Sequence, residues 1–137
     1  MGTWDVDSFG NDDAADWAYG LEGCDDLSLI EGAIAAALDA EDDYLEAPVA
    51  TEAIAAIETL ARLPGRGGER SAYTETVDAW VARVRLPVPP ALATRAVEAL
   101  DRILAPRSEL RELWSESEQL GAWTANVEDL RRRVQPG

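Results

Sequence analysis

The sequence predicts an all-α fold, about seven short helices packed as one compact bundle behind an extended N-terminal arm. Three observations carry this. Apolar residues recur at three- and four-residue spacing from Leu27 to Val134, glycines and prolines interrupt the pattern at short intervals, and no segment sustains the period-two alternation of a half-buried strand. A chain of 137 residues, 47% hydrophobic, is long enough to bury a real core without disulfides. The expected organisation is one domain over 1–137: an arm over 1–10, an acidic helical half over 11–64 and a helical half of balanced charge over 72–134.

Gly2 to Gly10 mixes glycine, serine and alternating aspartates around Trp4, Val6 and Phe9, which suits an extended arm. Asn11 or Asp12 can cap a first helix whose opening turn holds Asp12, Asp13 and Asp16, favourable at the positive end of the helix dipole. That helix runs past Trp17 to the stops at Gly20 and Gly23. A second helix, about Asp26 to Glu41, turns Leu27, Ile30, Ile34, Ala37 and Leu38 to one face, and Asp42 to Pro48 reads as a connector. Thr51 is a good N-cap for a third helix with Ile54, Ile57, Leu60, Ala61 and Leu63 as its buried stripe and Pro64-Gly65 as its stop.

Arg66 to Ser71 reads as a glycine-rich surface loop, and Thr74 can cap a fourth helix burying Val77, Trp80, Val81 and Val84. It ends by Leu86, because Pro87, Pro89 and Pro90 forbid continuation. Pro90 starts a fifth helix, burying Leu92, Ala96, Val97, Leu100, Ile103 and Leu104 and closed by Pro106. Ser108 caps a sixth with Leu110, Leu113 and Trp114 inward. After Gly121 a seventh aligns Trp123, Val127, Leu130 and Val134, and Arg131, Arg132 and Arg133 complement its dipole at the C-terminal end.

Charge is distributed unevenly along the chain. Residues 1–61 hold 16 acidic and no basic residues, residues 62–137 hold 11 acidic and all 12 basic ones, every one arginine, and the two parts carry −16 and +1. Nucleic-acid binding needs a basic stripe to displace counterions from phosphate, and an acidic surface is repelled by anionic lipid, so neither nucleic acid nor membrane is an expected partner. With no histidine and one cysteine, the usual zinc sites, histidine acid–base chemistry and an internal disulfide are excluded. The start lacks the basic and apolar regions of a signal peptide and no apolar run is long enough to span a membrane, so the expected location is the cytoplasm.

Motifs that carry chemistry are few. Asp5 to Asp16 places acids or amides at positions 1, 3, 7, 9 and 12 and glycine at 6, as in a calcium-binding loop. Phe9 stands where a side-chain oxygen belongs, Asp16 replaces the bidentate glutamate, and no entering helix precedes the loop. Glu41, Asp42, Asp43 and Glu46 form a second acidic cluster beside Tyr44, whose use as acid–base or magnesium ligands requires convergence in a cleft. Cys24 lies beside Asp25 and Asp26, which disfavour a thiolate, and Gly65 to Gly68 lacks the lysine and hydroxyl of a phosphate-binding loop.

The string Gly2-Thr3-Trp4, Phe9, Asn11-Asp12, Ala15 and Asp16-Trp17 stands out, followed by Tyr44-Leu45-Glu46-Ala47-Pro48 and Glu52-Ala53-Ile54-Ala55-Ala56-Ile57-Glu58. With these and with Trp80, Ser108-Glu109-Leu110, Leu113-Trp114 and Trp123, the chain resembles, over nearly its whole length, the bacterial domain-of-unknown-function family numbered 4259. Asp5 and Asp7 stand at positions often glycine there, which argues against the calcium loop. The resemblance implies a small bacterial helical protein without an assigned activity.

The reading that follows is a non-enzymatic module that binds a basic protein, of the immunity or antitoxin kind, through the acidic part. Its candidate binding residues are Asp12, Asp16, Asp25, Asp26, Asp42, Asp43, Tyr44 and Glu46, with Trp4, Phe9, Asn11 and Trp17 holding the arm. No cofactor, metal or catalytic residue is expected. The alternatives are a metal-dependent or carboxylate-based enzyme using the N-terminal acids, and a structural protein whose acidity serves solubility.

Overall fold

The computed structural model describes residues 12–40, 43–67 and 74–135. Among them the chain forms α1 (Asp12–Tyr19), a 3-10 turn (Gly20–Gly23), α2 (Ser28–Asp39), α3 (Ala47–Arg62), α4 (Glu75–Val84), α5 (Pro90–Leu104), α6 (Glu109–Ser115) and α7 (Leu120–Val134). The all-α class is as expected, and the only β feature described is an isolated parallel bridge between Leu45 and Ser108. The expected arm over 1–10, with Trp4 and Phe9, lies outside the described residues together with Asn11, Asp42 and the side chain of Asp12.

α3 is the axis of the fold and packs against each of the other six helices. A helix surrounded in this way is apolar or small nearly all round, and any charge that it buries must be paired. Ala53, Ala55, Ala56, Ile57, Thr59, Leu60 and Ala61 are all buried, and only Pro48 and Glu52 are fully exposed on it. The single stripe read from spacing is therefore too narrow, and its last member, Leu63, is only partly buried.

The start of α3 also differs from the expected Thr51 cap. Thr51 is buried inside the helix, which begins four residues earlier at Ala47 with Pro48 in its first turn, where a missing N–H costs nothing. The cap comes from another helix: the Ala47 N–H donates to Glu109 Oε1 of α6 at 2.8 Å. The connector is held there because the Leu45 N–H donates to the Arg107 carbonyl and the Leu45 carbonyl accepts from the Glu109 N–H, both at 2.8 Å. The Arg102 guanidinium ties the same corner by donating to the carbonyls of Asp43, Pro106 and Arg107.

At its other end α3 stops as expected at Pro64-Gly65. Gly65 adopts φ +84°, its N–H donates to the Arg62 carbonyl and that of Arg66 to the Ala61 carbonyl, a Schellman closure that favours glycine.

Smaller differences have similar local causes. The second helix spans Ser28–Asp39, and Asp26 caps it from outside by accepting from the Ser28 N–H at 3.0 Å. Thr74 stands at the N-cap of α4, but its hydroxyl donates to Asp78 Oδ2 at 2.8 Å and makes no cap bond. Ser108 does cap α6, accepting from the Arg111 N–H at 3.4 Å. α7 starts at Leu120, so Gly121 lies in its first turn.

Trp80, Trp114 and Trp123 are buried as expected, the last two stacked with ring centroids 6.2 Å apart. Leu113 is 41% exposed, contrary to its reading as a core residue. Val81, Val84, Val97 and Leu104 are half-buried against the core.

Candidate functional site

The candidate acids fall into separate groups. Asp16 is exposed on α1, Asp25 and Asp26 lie between the 3-10 turn and α2, and Asp43, Tyr44 and Glu46 lie on the connector into α3. Among the described residues no three acids or cysteines converge as a metal cluster.

Asp25 is paired with Arg83 of α4. Asp26 is occupied as the cap of α2, and the Ser28 hydroxyl and N–H, then the Cys24 thiol, hold its carboxyl below the usual range. Trp17 is buried, and its indole N–H meets no acceptor among the described residues.

Tyr44 reaches across to α6, where its hydroxyl donates to Glu112 Oε1 at 2.5 Å. This bond, with burial and the Glu112 and Glu109 charges adding to it, favours the neutral phenol and raises its pKa from 10.0 to about 12. The contact therefore contributes fully below the ordinary tyrosine pKa and is lost as pH rises through the shifted value. Spectrophotometric titration of phenolate absorbance should show one tyrosine ionising near 12, and Glu112→Ala should return it toward 10. Identical titration curves would refute the contact.

A buried ionic network went unread in the sequence. Glu58 of α3 lies in the core, between Arg62 of the same helix at 3.2 Å and Arg133 of α7 at 2.9 Å. Arg62 continues to Asp78 of α4 at 2.7 Å, and Arg133 to Asp129 at 2.8 Å. Burial disfavours the Arg133 charge, but hydrogen bonds to Glu58 and Asp129 outweigh it and raise the pKa. The Arg133 bond likewise holds Asp129 low.

Gly67 lies over the Arg62 stem so closely that a Cβ would come within 2.3 Å of Arg62 Cγ, so a larger residue there would displace that arginine. Dipole complementation is thus an incomplete account of the arginine triplet. Arg131 and Arg132 pair with Asp101 and Asp129, while Arg133 clamps α7 to α3. The Glu58–Arg62 spacing of four residues was the one signal in the sequence.

Among the described residues, two cavities bear on this framework. One, about 410 Å³, lies between the 3-10 turn and α4 and is lined by Glu22, Glu75, Thr76, Ala79, Trp80 and Arg83. The other, about 180 Å³, lies where α3, α5 and α7 meet and carries Arg66 and Arg133 at an otherwise mostly apolar wall. The first is fixed by the core beneath it, because Trp80 Nε1 donates to the Cys24 carbonyl at 2.7 Å and Arg83 donates to the same carbonyl at 3.1 Å.

A family model described as a domain of unknown function, DUF4259, matches residues 2–126. The chain belongs to the DUF4259 family. The match takes in α1 to α6, the first half of α7 and both Glu22 and Glu75, whereas Arg133 lies beyond it. No curated protein and no solved structure matches the chain. Among the described residues no helix is long and apolar enough to cross a membrane.

Proposed function

We propose that this DUF4259 protein is a non-enzymatic binding module whose acidic N-terminal part meets a basic partner protein, with inhibition of the immunity or antitoxin kind as its concrete form. The observation that carries the reading is the unbalanced charge of that part's surface. Asp13, Asp16, Glu22, Glu31, Asp39 and Glu46 are exposed there with no ion pair described, while Asp25 and Glu58 already take up arginines from the other part of the chain. A field of one sign steers an oppositely charged protein into encounter and is screened by salt.

Affinity capture from the host lysate at low ionic strength, eluted with a salt gradient, identifies the partner, which is then purified and its association rate measured. Reversal of Asp39, Asp43 and Glu46 is the informative variant, since Asp25 and Asp26 hold Arg83 and cap α2. The expected result is association slowed by roughly tenfold and a wild-type rate that falls steeply with salt. A rate indifferent to salt and to these reversals would remove the basis of the reading.

A further inference from the structure

The groove between the 3-10 turn and α4 combines shape, charge and rigidity in one place. Its two carboxylates, Glu22 on the turn and Glu75 in the first turn of α4, are exposed and have no partner described. The one cation in its lining, Arg83, is already engaged by the Asp25 carboxylate and the Cys24 carbonyl. What remains is an open cavity of about 410 Å³ with an excess of negative charge and Trp80 and Ala79 in its wall.

A long cationic side chain satisfies all of these features, its stem against the apolar wall and its head between the carboxylates. Tyr19, 63% exposed and three residues before Glu22, adds an aromatic of the kind that anchors protein interfaces. The smaller cavity at α3, α5 and α7 offers no such match, because no carboxylate lines it and Arg66, with no ion pair described, would repel a cation.

We propose that the Glu22–Glu75 groove is the recognition pocket for an arginine or lysine side chain presented by the basic partner. The proposal rests on the protein-binding reading above and narrows it to one site.

The test uses a fluorescein-labelled short polyarginine peptide, read by anisotropy at low ionic strength with the full chain. Glu22→Gln with Glu75→Gln should weaken binding by about tenfold, the scale of a specific charge contact. Glu31→Gln with Asp39→Gln removes the same charge from α2 and should weaken it only about twofold, through the long-range field alone. Ala79→Phe fills the groove at an exposed helical position without changing charge and should reproduce the loss; circular dichroism confirms that each variant is folded.

Equal losses from the two charge pairs, or unchanged binding by Ala79→Phe, overturn the groove while leaving the acidic-surface reading intact. Absence of binding by the wild type overturns both.

Discussion

Glu58→Ala should destabilise the protein by about 3–5 kcal/mol in urea unfolding at neutral pH, the cost typical of stripping one member from a buried ionic set. Glu58 is 3% exposed and receives Arg62 and Arg133, themselves nearly or half-buried, from two different helices. Its removal takes the shared carboxylate from two guanidiniums, of which that of Arg62 is buried. Asp78 and Asp129 still hold one arginine each, but neither replaces the bridge between α3 and α7.

Glu58→Gln keeps the shape and one acceptor and should fall between wild type and alanine. Replacing Glu58, Arg62 and Arg133 together with apolar residues of similar volume should be far milder than Glu58→Ala, because the cost lies in the unpaired charges rather than in the lost bonds. A loss below about 1 kcal/mol for Glu58→Ala would mean that the carboxylate does not bridge the two helices in solution.

The contrast between that network and the helices around it explains what was legible in the sequence. Helix existence rests on local chemistry. Gly65 needs a left-handed turn, Pro90 suits a first turn, and the Ser108 hydroxyl accepts from the Arg111 N–H within its own helix, and all three follow from neighbouring residues.

Where the local signal failed, a distant residue had displaced it. Thr51 is a better cap than anything at Ala47, yet Glu109, sixty-two residues on, caps Ala47 and lets the helix start early. Arg133 illustrates the same point for charge, since a cation in a last turn is expected whatever it touches, and its true partner is set by how α7 returns to α3. The candidate site was legible as a bias in charge but not as a place. Glu22 and Glu75 lie fifty-three positions apart and line one groove because Trp80 and Arg83 bind the Cys24 carbonyl at the end of the turn that carries Glu22.

The central position of α3 makes a prediction that separates it from an ordinary amphipathic helix. Ile57, fully buried on the expected apolar stripe, should cost about 2–5 kcal/mol when cut to alanine on either view. Ala55 decides between them. It lies with Thr59 on the side away from Ile54, Ile57 and Ala61, where an amphipathic helix meets solvent and where leucine, nearly as good a helix former as alanine, would be tolerated.

Here both Ala55 and Thr59 are fully buried, and the Thr59 hydroxyl donates back to the Ala55 carbonyl at 2.8 Å. Ala55→Leu should therefore force the neighbouring helices apart and destabilise by about 1–3 kcal/mol, against a change within about 0.5 kcal/mol for the exposed control Glu52→Ala. Denaturant midpoints of the three variants at constant slope give the comparison directly. A neutral Ala55→Leu would place that face at the surface and remove α3 from the centre of the fold. The groove is carried by α4 and the acidic connector leads into α3 itself, so both surfaces are only as rigid as the packing of this helix.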